Sequence, residues 1–215
     1  YLNIFFFLNL RKKIEKKSLN KKYCLMIFQN LGTRTEIEDI NFEYKIYWNA
    51  QINFLKLLKH NIYNNINVRL FNLTPWNEKE RLKDFDKNLK VHCKFDRNSM
   101  SLERILQNTK IVVVTFDTTV ILELLINDIP FIAFWPNTLE KIRDSATPYY
   151  QNFIDNELLY ETSEEAANKL NEIWDNVDQW WYKENRVLAR KNYMDKFCKS
   201  SDISIDKLKY TLLND

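Results

Sequence analysis

Glycine is almost absent from this chain of 215 residues, which contains only Gly32. Dinucleotide-binding fingerprints, P-loops and the G-x-S-x-G nucleophile elbow need glycine where the backbone turns sharply or approaches a ligand. The composition therefore excludes all three motifs. Any phosphate that the protein binds must be held by helix N-termini, hydroxyl groups or basic side chains.

Cysteine and histidine are also scarce. The three cysteines, Cys24, Cys93 and Cys198, are odd in number and far apart, and the histidines are His60 and His92. This pattern argues against a disulfide framework and a structural zinc site, so we predict no bound metal and a reducing, cytoplasmic location. No Ser-His-Asp set, nucleophilic cysteine or distinct carboxylate pair emerges, and no catalytic residue is assigned.

No apolar run reaches the roughly 20 residues of a membrane span. The longest, Tyr1–Leu10, is followed by a lysine-rich stretch, and residues 1–22 are interpreted as an amphipathic connector, with a membrane-surface contact as the alternative. The chain starts without methionine and shows no signal peptide, so we expect the C-terminal part of a longer protein whose N-terminal half is missing. The formal net charge of +3 predicts no nucleic-acid partner.

Short apolar runs alternate with helical periodicity along the chain. Strands are predicted at Tyr23–Gln29, Asn67–Phe71, Leu89–Cys93, Ile111–Thr115 and Phe131–Trp135. Helices are predicted at Glu43–Lys59, from a Ser99 cap to Asn108, at Thr119–Asn127, from a Thr162/Glu165 capping box to about Asp175, and at Asp178–Cys198. This alternation predicts an α/β fold with a Rossmann-like, doubly wound parallel sheet over residues 23–175. Residues 176–215 are predicted to form a C-terminal helical segment that packs back on the fold.

In such a sheet the ligand crevice lies beyond the carboxyl ends of the strands. Arg34 follows the first predicted strand, Arg69 lies in the second, residues 115–119 follow the fourth and residues 135–138 follow the fifth. Arginines, hydroxyls and an aromatic ring at this edge favour an anion that carries a planar group. For Arg69, a structural carboxylate is an equally acceptable partner.

The most informative segment is the loop Thr115-Phe116-Asp117-Thr118-Thr119, between a buried strand and a helix. A helix N-terminus attracts phosphate, and the two last threonines add donors without glycine. Glu123, one turn later on the face of Thr119, is placed to accept hydrogen bonds from sugar hydroxyls. The alternative is structural, with Asp117 or Thr118 as an N-cap and Glu123 as a solvated helix residue. Trp180 and Trp181 are interpreted as core packing, with a stacking platform as the alternative.

These residues resemble a family of bacterial surface-polysaccharide transferases found in lipopolysaccharide and capsule gene clusters. The resemblance covers about residues 23–198. It is carried by Thr115-Phe116-Asp117-Thr118-Thr119, Leu122-Glu123-Leu124-Leu125, Asn127, Ile129-Pro130, Phe134-Trp135, Arg143, Ala146-Thr147-Pro148-Tyr149-Tyr150, Glu165-Ala166-Ala167, Trp180-Trp181, Tyr47, Gln51-Ile52, Phe54-Leu55 and Val68-Arg69-Leu70. Residues 71–76 depart from the family, which tends to show an aromatic-proline or glycine-tryptophan element there.

The resemblance implies the C-terminal half of a GT-B-like glycosyltransferase, which binds the activated sugar nucleotide and commonly works without metal. Thr115, Asp117, Thr118 and Thr119 would then line the donor phosphate site, and Glu123 would reach the ribose. A further set of three arginines would neutralise phosphate charge, namely Arg34, Arg69 and Arg143. No cofactor is implied beyond the donor itself, a CMP- or UDP-linked sugar.

The resulting hypothesis is a transferase that moves a sugar from a nucleotide donor to a glycan or glycolipid acceptor, in the cytoplasm or peripherally at the inner membrane. The acceptor-binding half with its catalytic base would lie outside this chain, which leaves open whether the chain transfers a sugar alone. The alternatives are a sugar-nucleotide epimerase or hydrolase of the same fold, and a non-catalytic Rossmann-like binding module that uses its tryptophans.

Overall fold

A computed structural model describes residues 21–28, 38–70, 94–96, 101–140 and 142–198, with the isolated positions 83 and 87. Within these residues, six strands form one sheet in the order β3-β2-β1-β4-β5-β6, and every pairing is parallel. The strands are β1 (Tyr23–Phe28), β2 (Ile66–Leu70), β3 (Lys94–Asp96), β4 (Thr109–Val114), β5 (Phe131–Phe134) and β6 (Leu159–Tyr160). This sheet confirms the predicted α/β, Rossmann-like fold class.

Among the described residues, helices lie between β1 and β2 and between each pair of consecutive strands from β3 to β6, and they continue beyond β6. They are α1 (Glu38–Leu57), α2 (His60–Tyr63), α3 (Leu102–Leu106), α4 (Val120–Ile126), α5 (Thr147–Asp155), α6 (Ser163–Ile173), α7 (Val177–Trp181) and α8 (Glu184–Phe197). A 3₁₀ turn, Trp174–Asn176, joins α6 to α7. Right-handed helical crossovers are the usual way to connect parallel strands, which explains the alternation.

The helices cover both faces of the sheet, as the side chains of β5 show. Phe131 and Phe134 differ by three positions and therefore point to opposite faces. Phe134 stacks on Phe54 of α1 at 4.9 Å, whereas Phe131 contacts Phe153 of α5 at 6.1 Å and Trp181 of α7 at 5.5 Å. Because each face is covered, the central strands are apolar throughout, and residues 111–114 of β4 are fully buried.

Two predicted features fall on residues outside the described ranges. The strand predicted at 89–93 falls on residues outside the described ranges, and the observed strand, β3, lies directly after them at 94–96. The predicted cap Ser99 also lies outside these ranges; the residue that caps α3 is Ser101, whose Oγ accepts a hydrogen bond from the Arg104 N–H at 3.4 Å. Both serines fit the pattern of an N-cap, and the sequence alone does not separate them.

The C-terminal helical region predicted at 178–198 is two helices. Lys183 adopts an extended backbone (φ −59°, ψ 138°) between α7 and α8, which ends one helix and starts the next. The predicted N-cap at Thr162 is confirmed, because the Glu165 N–H donates to Thr162 Oγ1 at 3.2 Å. The Glu165 carboxylate accepts from the Thr162 hydroxyl at 2.9 Å. In the fold, α8 packs against α4 and α5.

Candidate functional site

The order of the strands reverses between β1 and β4, which is where a doubly wound sheet is expected to have its ligand crevice. From β1 the chain proceeds outward to β2 and β3, and it then returns to place β4 on the other side of β1. Helical connections on either side of such a reversal diverge, which leaves an opening at the carboxyl ends of the two strands. The segment 115–119 follows β4 directly and therefore lies at this opening.

Thr115 links the carboxyl ends of β1 and β4 through its side chain. Its side chain is buried, and its Oγ1 donates a hydrogen bond to the carbonyl of Ile27 in β1 at 2.8 Å. In the sheet register Ile27 is paired with Val114, so this bond ties the ends of the two switch-point strands. The proton of this hydroxyl is thus used within the protein.

Thr118 and Thr119 lie at the turn into α4. Thr118 Oγ1 accepts from the Val120 N–H at 3.4 Å, whereas Thr119 occupies the N-cap position, is exposed and makes no side-chain cap bond. Of the two structural caps considered, Asp117 is not the N-cap, whereas the Thr118 hydroxyl satisfies an N–H of the first turn as an N-cap side chain does. The helix α4 has only seven residues, so its dipole is short.

Glu123 lies one turn into α4 and is half-buried. Its N–H donates to the Thr119 carbonyl at 3.3 Å, so the two side chains share one face of the helix. Burial raises the pKa of the Glu123 carboxyl. A carboxylate at this position can accept hydrogen bonds from a ligand but does not suit a phosphate.

Asp117 projects from the middle of the loop and contacts the helices beyond it. Its Oδ1 accepts a hydrogen bond from the Tyr150 hydroxyl of α5 at 2.9 Å, and the Tyr193 hydroxyl of α8 donates to Tyr150 at 3.1 Å. Desolvation raises the pKa of the Asp117 carboxyl, and the bond from Tyr150 opposes that shift. Burial raises the pKa of Tyr47 on α1, and the charge of Asp117 adds to that shift.

Unlike the residues of the loop 115–119, the three predicted arginines do not lie in one segment. Arg69 of β2 is paired in register with Ile27 of β1, which is itself paired with Val114, so Arg69 lies two strands from β4 at the level of its last residue. This separation corresponds to about 10 Å. Arg143 is exposed in the connection from β5 to α5, and its carbonyl accepts from the Thr147 N–H at 3.1 Å. Arg34 lies outside the described residues.

The structure therefore joins Thr115, Asp117, Thr118, Thr119 and Glu123 in one continuous segment at the switch point. The sequence analysis assigned no role to Tyr150 or Tyr193. A helix start at α5 is signalled by Thr147-Pro148, because proline favours the first turn, but a contact between residues 33 positions apart leaves no local pattern.

The tryptophan pair packs in the core, which confirms the preferred interpretation over a stacking platform. Trp181 is fully buried, and its Nε1 donates to Asp128 Oδ1 at 2.8 Å. Arg190 stacks over the Trp181 ring at 3.6 Å and donates to the same carboxylate at 3.2 Å. The Tyr182 hydroxyl donates to Asp128 Oδ2 at 2.6 Å. Asp128, whose backbone is left-handed (φ 50°), therefore anchors α7 and α8.

A second acidic residue with left-handed backbone, Glu157 (φ 60°), plays the corresponding part beside Trp180. It forms ion pairs with Lys169 at 2.8 Å and with Arg186, which stacks on the Trp180 ring at 5.0 Å. Of the two acidic anchors, Asp128 is of the residue type that tolerates this backbone region better.

The described residues contain neither a helix that could span a membrane nor a cluster that could hold a metal ion. None of their helices combines the length and the apolar character that a bilayer crossing requires. In the same part of the chain, no three histidine, cysteine or acidic side chains converge on a point where a metal ion could bind.

Comparison with known proteins adds one finding at the level of a family. Residues 5–212 match the family described as LIC12162 family transferase, which is nearly the whole chain. No curated protein matches the sequence.

Proposed function

The chain belongs to the LIC12162 family of transferases, and from that premise we propose that it binds the nucleotide-activated sugar donor of a glycosyltransferase. The acceptor in this proposal is a surface polysaccharide or lipopolysaccharide. The chain supplies the donor-binding part, and a separate acceptor-binding part supplies the catalytic base. A peripheral position at the inner membrane fits such an acceptor.

One observation carries the proposal: the hydroxyl-rich loop 115–119 lies at the switch point between β1 and β4. Nucleotides bind at this point in doubly wound sheets because the diverging connections leave room for them. A transferase with this topology and without glycine-rich motifs needs another phosphate ligand. The hydroxyls of Thr118 and Thr119 are the groups at hand.

Roles for the remaining residues follow from their positions. Glu123 faces the same way as Thr119 and is proposed to accept hydrogen bonds from the ribose hydroxyls. Arg69 and Arg143 are proposed to neutralise phosphate charge from the two flanks, as stabilisation of a departing nucleotide requires. Arg34 is retained in the proposal on its place after β1 in the sequence.

Thermal shift with CMP, CDP, UDP, GDP and dTDP tests the donor site, using the full chain. A nucleotide that binds the native state stabilises it by about 2.7 kcal/mol at a hundred times its Kd. We expect one nucleotide to stabilise the parent and to lose this effect in Thr119→Val. Because the Thr119 side chain makes no cap bond, valine removes the hydroxyl without uncapping α4.

Thr109→Val is the control, because Thr109 is the first residue of β4 and lies at the end of that strand opposite to the loop 115–119. Its Oγ1 donates to the Ile105 carbonyl at 2.9 Å, so the variant is less stable but should respond to nucleotide as the parent does. If no nucleotide stabilises the parent, or if Thr119→Val responds fully, the proposed donor site is wrong. An Arg69→Ala variant should weaken nucleotide binding by about 1.5–3 kcal/mol if a charge-assisted hydrogen bond is lost.

A further inference from the structure

Asp117 is an unexpected residue to find in a loop that binds phosphate. A carboxylate beside a phosphate group repels it, and the repulsion grows as water is excluded. Yet Asp117 directly precedes the two threonines proposed as phosphate ligands. Phosphate binding therefore does not explain a carboxylate at position 117.

The carboxylate is held in place by two buried phenols. Tyr193 stacks on Phe153 at 4.5 Å with a 20° interplanar angle, and Tyr150 meets Trp135 edge-on at 6.4 Å. Their hydroxyls form the chain Tyr193 to Tyr150 to Asp117, with donor–acceptor distances of 3.1 and 2.9 Å. Because both rings are fixed by packing, the hydrogen bond to Oδ1 fixes the direction of the carboxylate.

The second carboxylate oxygen remains available for a ligand. Within the described ranges, the Tyr150 hydroxyl is the one side-chain donor that reaches Asp117, and it binds Oδ1. The residue itself is exposed at the crevice. An oriented oxygen at this position is suited to accept a hydrogen bond from a hydroxyl group of a bound molecule.

We propose that Asp117 accepts a hydrogen bond from a sugar hydroxyl of the donor and makes the site prefer sugar-linked over free nucleotide, with Tyr150 as its positioning residue. This inference rests on the proposed function and deepens it. Two effects combine in the preference. The sugar-linked form offers the hydroxyl, and the free nucleotide carries a terminal phosphate with about one more negative charge, which the carboxylate repels.

The test compares a free nucleotide with its sugar-linked form by titration calorimetry. The free nucleotide is the one from the panel that stabilises the parent most. Its sugar-linked partner is chosen to carry the same nucleotide: UDP-glucose, GDP-mannose, dTDP-glucose, CDP-glucose or a CMP-linked sialic acid. Losing one hydrogen bond corresponds to about a two- to tenfold change in Kd. We expect Asp117→Asn to reduce the preference for the sugar-linked form by at least that factor and to bind the free nucleotide more tightly.

Tyr150→Phe tests the positioning role by its effect on pH dependence. Phenylalanine keeps the ring contacts and removes only the hydroxyl that stabilises the ionised carboxylate. The pKa of Asp117 should then rise further. The preference for the sugar-linked nucleotide requires the ionised carboxylate. As the pH is lowered, Tyr150→Phe should therefore lose this preference at a higher pH than the parent does. The phenols that face Asp117, namely Tyr47, Tyr150 and Tyr193, all have raised pKa values and stay neutral throughout this acidic range.

Two controls make the profile specific. Tyr160→Phe removes the hydroxyl of a half-buried tyrosine, which donates to the Glu157 carbonyl at 2.8 Å, and this variant should titrate as the parent does. Glu123 has a raised pKa in the same site, so the profile is repeated in Glu123→Gln, where the effect of Tyr150→Phe should persist.

The outcomes separate this inference from the one on which it rests. The role of Asp117 would be overturned if the parent showed no preference for the sugar-linked nucleotide, or if Asp117→Asn left that preference unchanged. The role of Tyr150 would be overturned if the pH profile of Tyr150→Phe overlaid that of the parent. Nucleotide binding would stand in each case. Absence of any nucleotide binding to the parent would instead remove the donor site, and this inference with it.

Discussion

Asp128 offers the sharpest test of how this fold is held together. Its carboxylate accepts hydrogen bonds from Trp181, Tyr182 and Arg190, each from the C-terminal helical region, while its backbone is left-handed. We expect Asp128→Ala to release this region from the turn after α4. The same change leaves the Arg190 guanidinium, 8% exposed, without this carboxylate.

The magnitude follows from two contributions, the lost hydrogen bonds of the carboxylate and the left-handed backbone. Removing one partner of a buried ion pair costs about 3–5 kcal/mol, but the Asp128 side chain is 43% exposed, so solvent offsets part of that cost. The hydrogen-bonding loss is therefore taken as about 2–3 kcal/mol. Alanine in the left-handed region adds about 1 kcal/mol. The expected total is about 3–4 kcal/mol, and Asp128→Asn, which keeps one acceptor oxygen and tolerates the backbone, should lose about 1–2 kcal/mol.

Urea denaturation of the full chain measures these losses as changes in the free energy of unfolding. Asn137→Ala is the matched control, because Asn137 also has a left-handed backbone (φ 55°) but lies exposed in a loop. It isolates the backbone cost of about 1 kcal/mol. If Asp128→Ala and Asn137→Ala lose the same small amount, the carboxylate does not anchor the helices and the reasoning is refuted.

Two further predictions concern the sheet and the second acidic anchor. Thr115→Val should lower the free energy of unfolding by about 1–2 kcal/mol, since it removes the buried bond to Ile27, yet leave the nucleotide-induced thermal shift intact; loss of that shift would make the hydroxyl a ligand. For Glu157, burial alone would raise the carboxyl pKa, but Lys169 and Arg186 lower it overall. A lowered folded-state pKa gives stability that is present above the unfolded value near 4.3 and is lost as pH falls through the folded value. Glu157→Gln should therefore flatten the acid limb of a stability–pH curve, and an unchanged limb would contradict the ion-pair assignment.

The central part of the fold could be predicted from the sequence because each element there carries its own pattern. The unbroken apolar run of β4 predicts a strand buried on both faces, and the Thr162/Glu165 box marks the start of α6. β6 was not predicted, since a strand of two residues has no detectable period. The break at Lys183 was not predicted either, because no proline or glycine marks it.

The candidate site likewise contains residues that local sequence identified and residues that it did not. The loop 115–119 was identifiable because it is continuous in sequence and ends a recognisable strand. Its support by Tyr150 and Tyr193 depends on contacts across 33 and 43 residues, which tertiary packing creates and no local spacing encodes. Prediction from pattern therefore found the groups proposed to meet the ligand and missed those that orient them.

The brevity of β6 has a consequence for how this protein behaves at high concentration. An exposed sheet edge can recruit a strand from another molecule, and the risk increases with the length of unpaired backbone that it offers. Here the edge strand contributes two residues, and Ser163 begins a capped helix only three residues after Tyr160. The hydrophobic strands of the interior are thus bordered on this side by an edge too short to template intermolecular pairing, and variants that uncap α6 and lengthen the strand should be the ones that aggregate.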